Sequence, residues 1–356
     1  MKSAPLFYYA RLTALCAALG LAFAYPAAAQ TSVTTVPVGA VQIAIAAGPA
    51  TTAIGFPLQS ESVYSGQIIS LGSSTISFSG TPFLGSNLAT AASPFYIRIK
   101  SGNQQGRVLK VVSNTNDTCT LDITDGTPNS VALDIAGFAV TINDTVDVFP
   151  ADTLASFFGT SGGLLLNAGT SAFNADTVSF WSGVKYDSYF YNSNLGYWSK
   201  LGSAGNFNNT IIIPNEGVLI KRKPGAPATS ITVMGNVPMH RVLIRHSGNN
   251  STKLIVSPFP VDLPLSAFQF NALNPLLSGT SLFNADTVST WNGVRWMSYY
   301  KNKNSGLWLR SGDATTDFTS QVIPLGVPVT VLRRNINSGI TNFIGIDRPY
   351  ADPTLN

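Results

Sequence analysis

Two histidines, two glutamates and two cysteines are all this chain offers to chemistry built on imidazole, glutamate or thiol. A serine hydrolase needs a histidine base and a sharp G-x-S-x-G elbow that exposes its nucleophile. No such elbow is read from the sequence. His240 and His246 alternate with Val242 and Ile244 and read as strand-end residues at a turn. A structural zinc site needs four ligands of the Cys/His type, more than the two histidines and one cysteine that remain beyond the expected signal. Calcium needs only oxygen ligands. Asp176 and Asp286 recur in one motif, but no D-x-[DN]-x-[DN]-G loop accompanies them. Asn174 with Asp176, and Asn284 with Asp286, therefore read as turn caps that accept backbone N–H groups. Glycoside hydrolysis uses paired carboxylates, and Glu61 and Glu216 sit in unlike settings. Redox and nucleotide motifs are absent. The sequence assigns no catalytic residue, no metal ligand and no cofactor, and the chain reads as a non-enzyme.

Binding is the remaining chemistry, and its candidates are aromatic. One stretch carries Trp181, Tyr186, Tyr189, Phe190, Tyr191, Tyr197 and Trp198; a second carries Trp291, Trp296, Tyr299, Tyr300 and Trp308. Flat rings stack on sugar faces, and neighbouring Asn and Ser can bond hydroxyls. Rings recurring in a β-unit also serve as its core and its cross-strand pairs. Alternation places Tyr186 and Phe190 on one face and Tyr189 and Tyr191 on the other. One face should be core, which makes Tyr189 and Tyr299 the better surface candidates. Trp181, Trp291, Trp198 and Trp308 complete the candidate ligand-binding set. The basic strand ends Lys221 to Lys223 and Arg333-Arg334 read as solvated, with an acidic polysaccharide as the sharper alternative.

The elements that must position these residues are strands. Short alternating runs such as Thr75–Phe78 and Phe95–Ile99 are separated by Gly, Asn, Ser and Pro clusters, and helical periodicity is nearly absent. Short helices are expected near Leu154 to Phe158 and Leu265 to Phe268. The strongest signal is a repeat. Ser171-Ala172-Phe173-Asn174-Ala175-Asp176-Thr177-Val178-Ser179 returns as Ser281-Leu282-Phe283-Asn284-Ala285-Asp286-Thr287-Val288-Ser289, and 20 of 35 positions from Gly169/Gly279 onward are identical. Gly55-Phe56-Pro57-Leu58 is a faint third echo. The expected fold is all-β, with antiparallel sandwich-like units and a duplication in the C-terminal half. The expected divisions are a signal peptide over 1–29, an N-terminal β domain over 30–143 and a first repeat over 144–223. Connecting strands over 224–253, a second repeat over 254–335 and a tail over 336–356 follow.

Lys2, Arg11, the apolar run Leu12 to Ala24 and Ala27-Ala28-Ala29 describe a cleaved secretory signal. No later segment is apolar enough to cross a membrane as a helix. Beyond the signal one cysteine remains, Cys119. It cannot form an internal disulfide and alternates with Leu121 and Ile123, so it reads as a small buried hydrophobe. Lys and Arg total 21 and Asp and Glu 17. That near balance excludes the basic footprint of a nucleic-acid partner.

In the order of its motifs the chain resembles an uncharacterised family of exported proteins found mainly in Verrucomicrobia-type bacteria. The resemblance rests on Val63-Tyr64-Ser65-Gly66, Phe95-Tyr96-Ile97, Ser101-Gly102 and Gly106-Arg107. It continues through the Asn-Ala-Asp-Thr…Trp-x-Gly…Tyr…Gly-x-Trp units and Ile213-Pro214 or Ile323-Pro324 ahead of a closing strand. It covers most of the chain after the signal and implies organisation rather than activity. The expected role is a structural or interaction component of the cell surface or matrix, with envelope material, polysaccharide or further copies of itself as partners. Non-catalytic carbohydrate binding and an outer-membrane β-barrel are the alternatives.

Overall fold

The computed structural model describes residues 37–127, 129–246, 250–270, 276–334 and 342–351. The expected signal lies outside them. Its regular structure is nearly all strand, and the ladders are antiparallel, as the all-β reading requires.

Six strands close a barrel: β3 (Tyr64–Leu71), β4 (Thr75–Phe78), β7 (Thr118–Leu121), β6 (Val108–Asn114), β5 (Phe95–Ile99) and β8 (Thr145–Pro150), in that spatial order. Alternation fills its interior with Ile68, Ile76, Phe78, Ile97, Leu109 and Val148. An apolar, packed interior is the inverse of the polar lumen of an outer-membrane barrel. The ladder slips at Ile69 in β3 and at Val112 in β6. These bulged residues are turned outward and are half exposed, as a bulge breaks the in-out alternation. Cys119 is fully buried among the barrel's apolar residues, and burial pushes its thiol up to about 12.

The barrel interrupts a second body. β1 (Val38–Ile45) and β2 (Thr51–Ile54) precede it, yet β1 pairs with β13 (Thr229–Asn236) and β2 with β12 (Val218–Lys221). They belong to the first unit, with β9 (Thr177–Trp181), β10 (Tyr186–Asn192) and β11 (Tyr197–Lys200). Its five-stranded sheet has the order β11-β10-β9-β12-β2. The two-stranded sheet β1-β13 and the short helix α1 (Leu154–Phe158) cover one face. Thr153 caps α1 in a reciprocal box with Ser156. The expected boundary at 143 thus places β1 and β2 in the wrong body, because strand pairing here skips the whole barrel.

The second unit repeats this plan. β15 (Ser251–Ile255), β22 (Val329–Arg333), β18 (Thr287–Trp291), β19 (Trp296–Lys301) and β20 (Trp308–Arg310) form its five-stranded sheet. β14 (Val242–Arg245), β23 (Phe343–Ile346) and β17 (Phe268–Phe270) form its cover, and β16 (Leu263–Pro264) pairs with β21 (Val322–Ile323). A 3-10 turn spans Leu265–Ala267. The expected connecting strands divide between the units: β13 completes the first, while β14 and β15 open the second. The expected tail contributes β23 to the second core.

The units hold each other reciprocally. Trp181 Nε1 donates to the Thr252 carbonyl at 2.7 Å, and Trp291 Nε1 donates to the Thr51 carbonyl at 3.3 Å. Thr51 and Thr252 occupy matching places in β2 and β15, so each tryptophan reaches the counterpart of the strand the other reaches. Such exchange of equivalent contacts marks an approximate two-fold relation. Gly55 and Val256, each two residues past the matched Ala53 and Leu254, meet at the centre. A Cβ on Gly55 would lie 2.0 Å from Val256 Cγ2. Only one of the two positions has room for a side chain. Gly55→Ala is therefore expected to destabilise the chain by about 1–3 kcal/mol, as overpacking does. Urea denaturation of Gly55→Ala, and of Gly55→Ala combined with Val256→Gly, which removes the Cβ that would stand 2.5 Å away as well as Cγ2, checks this: a double variant no more stable than Val256→Gly with Gly55 retained would refute the steric account.

Candidate functional site

The repeated motif is built first from its turn. Asn174 Oδ1 accepts from Ser171 N at 2.9 Å, and its Nδ2 donates to Thr170 Oγ1 at 3.0 Å. Asn284 makes the same bonds to Ser281 and Thr280 at the same distances. The reading of these asparagines as caps holds. Asp176 and Asp286 also accept backbone N–H groups, from Asn167 and Lys223 and from Leu277 and Arg334 respectively. Each carries more than a cap, however. Arg222 Nε stands 2.9 Å from Asp176, and Arg333 Nε stands 3.0 Å from Asp286, with all four side chains buried. In neither pair does the Nε–H point along the line to the carboxylate, so charge rather than a directed bond joins them. Burial raises the Asp286 carboxyl above its ordinary value, against the pull of Arg333. The basic strand ends are thus not simply solvated: Lys221 is exposed, while Arg222 and Arg333 turn inward. Both carboxylates are engaged, which leaves no set of open oxygens for calcium. Among the described residues no group of three His, Cys, Asp or Glu is placed to hold a metal.

The aromatic candidates separate into two kinds. Tyr189 and Tyr299, expected at the surface, are 7% and 4% exposed and lie in the two cores. Trp198 and Trp308 are buried beside them, and Trp198 Nε1 donates to the Gly159 carbonyl at 2.9 Å. Trp181 and Trp291 are half-buried on the opposite face, edge-on to Tyr186 and tilted against Trp296. There they make the bonds between units. Alternation separates the two faces correctly but does not say which is covered; here both are. No strip of coplanar exposed rings results.

The remaining polar residues resolve into structural contacts. Where barrel and both units meet, a cavity of about 270 Å³ is lined by Tyr96, Arg107, Lys110, Asp122, Asp125, Glu216, Arg245 and Lys253 among others. Arg107 pairs with Asp125 at 2.7 Å, and Lys253 pairs with Glu216 at 2.8 Å. Burial raises Asp125, and burial together with nearby carboxylates raises Tyr96. Arg241 donates to the carbonyls of Gln105 and Asn103 across the same seam. The Lys253–Glu216 and Arg241 contacts tie bodies together, while Arg107 and Asp125 pair within the barrel body. His246 is buried, with Nε2 at 3.1 Å from the Val331 carbonyl and Nδ1 at 3.3 Å from Ser251 Oγ. Burial pushes it down to about 3 and His240 to about 4. A general base working near neutrality needs a much higher value. Gly159-Thr160-Ser161-Gly162-Gly163 does spell G-x-S-x-G, contrary to the sequence reading. It follows the helix α1 rather than a strand, so it lacks the strand-turn-helix context of a nucleophile elbow.

One feature escaped the aromatic argument. Phe173 and Phe283, at the tips of the two Asn-capped turns, are 88% and 83% exposed. Val184 and Val294 stand similarly free at the hairpin tips after β9 and β18. The signal was legible: both pairs are identical apolar residues in segments that the sequence marks as turns.

Compared with known proteins, the chain matches no family model, no curated protein and no solved structure. Among its described residues no helix is long and apolar enough to cross a membrane.

Asp286→Asn leaves Arg333 buried beside a neutral amide and is expected to cost about 3–5 kcal/mol. Its urea midpoint should fall accordingly, while chelator and calcium leave the parent chain's midpoint unchanged; a calcium-dependent midpoint would restore the metal reading. His246 has a folded value below the ordinary 6.5. The stability it carries is complete above pH 6.5 and is lost as pH falls toward 3. Between pH 7 and pH 5 this loss is about 2 kcal/mol. His246→Gln should reduce the stability slope over that interval, with His240, also depressed, supplying much of what remains, and an unchanged slope would count against this account.

Proposed function

We propose that this chain is an exported, non-catalytic structural or interaction component of the cell surface or extracellular matrix. The observation that carries the reading is the double display of an exposed phenylalanine. Nearly every other apolar residue shared by the two repeats has an internal place. Ala175 and Ala285, Val178 and Val288, Tyr189 and Tyr299, and Trp198 and Trp308 are buried, and Trp181 and Trp291 bond across the units. Phe173 and Phe283 do neither, although leaving a large ring in water gains nothing for folding. A single exposed ring is ordinary on a protein surface; the same ring displayed at the same place in both units is what supports a contact with another molecule. The glycan-binding alternative loses support, since its best candidates, Tyr189 and Tyr299, lie in the cores. Export is supported by the signal-like N-terminus, and the near-neutral, Ser/Thr/Asn-rich composition suits an extracellular β-protein.

The test is fractionation of the producing cell, comparing the parent chain with Phe173→Ser/Phe283→Ser. The parent chain should stay with the envelope in the presence of competing free sugars, and the variant should be released while keeping the parent's thermal midpoint. Retention of both alike, or release of the parent by sugar, would turn the reading toward another surface or toward glycan binding.

A further inference from the structure

We propose that the cavity between the barrel and the two units binds one small zwitterion, an α-amino acid with an apolar side chain. The site is separate from Phe173 and Phe283 and does not depend on the surface role proposed above.

The ion pairs and carbonyl bonds around this cavity leave several polar groups unused. Tyr96 is the first. Its side chain is only 8% exposed, and its ring stacks on Phe149 with centres 6.1 Å apart. Among the described residues its hydroxyl has no hydrogen-bond partner. That hydroxyl is not sealed in protein; it opens into the cavity. A buried hydroxyl left unpaired costs stability, and nothing in the fold offsets it. Lys110 is the second. It stands directly opposite Tyr96 in the β5-β6 ladder, where facing side chains reach one another. It is half-buried, and among the described residues it pairs with no carboxylate.

Two carboxylates also keep an oxygen unused. Asp122 Oδ1 accepts from Thr124 N at 3.0 Å and Thr124 Oγ1 at 2.6 Å. Glu216 Oε1 pairs with Lys253 at 2.8 Å. Asp122 Oδ2 and Glu216 Oε2 have no partner among the described residues. Asp122 lies beside Lys110, since its backbone N donates to the Lys110 carbonyl at 2.8 Å. Glu216 faces them from the first unit.

The unused groups thus carry both signs. An anion would satisfy only Lys110, and a cation only the carboxylates. A molecule bearing one charge of each sign satisfies all of them. Its carboxylate sits on the barrel, taking a charge-assisted bond from Lys110 and a second bond from Tyr96. Burial and the carboxylates of Glu216, Asp122 and Asp125 raise Tyr96 above its ordinary value, so the hydroxyl keeps its proton and donates. The ligand's ammonium lies between Asp122 and Glu216. Val108, Ile211, Leu243 and Ile244 form an apolar wall for its side chain. The volume of about 270 Å³ falls just under the ~300–1,000 Å³ of ordinary ligand pockets, which suits a single small molecule. The exposed residues Ile213 and Gly126 mark the mouth.

Isothermal titration calorimetry of the purified chain with L-leucine tests this. Isoamylamine and isocaproate serve as the analogues that lack the carboxylate and the ammonium, and glucose serves as an uncharged polyol. L-leucine should bind at one site per chain, and the three controls at least about tenfold more weakly. Lys110→Met and Tyr96→Phe should each weaken L-leucine by about tenfold or more. Neither removed group has a partner in the fold, so both variants should keep the parent's thermal midpoint in the absence of ligand. A parent that does not bind L-leucine, variants that bind it like the parent, or unliganded midpoints that fall in both variants would each overturn the proposal. Equal binding of isoamylamine or isocaproate would show a site for one charge, and equal binding of glucose a polyol site; either result overturns the zwitterion.

Discussion

A sheet with large side chains on both faces cannot leave either face to water, and this constraint organises the molecule. In the first unit Tyr189, Tyr191 and Trp198 occupy one face, and Trp181, Tyr186 and Phe190 the other. The two-stranded sheet β1-β13 and the helix α1 cover the former. The latter carries the tryptophan that ties the two units together. The second unit repeats the solution, and the result is mutual dependence: each sheet supplies backbone carbonyls that satisfy the other's indole. Buried indole N–H groups require such partners. Gly55 follows from the same seam, since matching positions collide where an approximate two-fold relation brings them together.

The buried ion pairs belong to this logic. Asp176 and Asp286 anchor the entry to the central strand of each sheet, and Arg222 and Arg333 anchor the exit of the strand beside it. A buried guanidinium and carboxylate add little net stability over an apolar pair, but removing one partner is costly. The pairs therefore act more as register pins than as a source of stability. The barrel is fastened differently. It meets the units through charged side chains and backbone carbonyls around a cavity lined in part by charged residues, together with a small apolar cluster around Tyr96, Phe149 and Ile211. An insertion between Leu58 and Phe149 is tolerated because the strands on either side already have partners in the first unit.

Trp181, Trp198, Trp291 and Trp308 and the paired Asp176, Arg222, Asp286 and Arg333 have internal roles, whereas Phe173 and Phe283 stand in water. Burial depresses both histidines, and backbone N–H groups and an arginine engage each repeated carboxylate.

The sequence by itself determined what depends on near neighbours. Alternation and turn residues located most strands, the α1 segment, the buried place of Cys119 and the Asn174 and Asn284 caps, because these follow from the two-residue period and from bonds spanning three or four residues. The repeat was legible for the same reason. What only the tertiary structure decided involves distant residues. Alternation sorted Tyr189 and Tyr186 onto opposite faces, but whether a face is covered depends on strands that pair across the whole barrel. Arg222 looked like part of a basic strand end until Asp176 was brought beside it. β1 and β2 looked like part of the N-terminal domain because no local pattern records that β2 will pair with β12. Period and propensity are properties of a short stretch of backbone, whereas burial and ion pairing are properties of what that stretch is packed against.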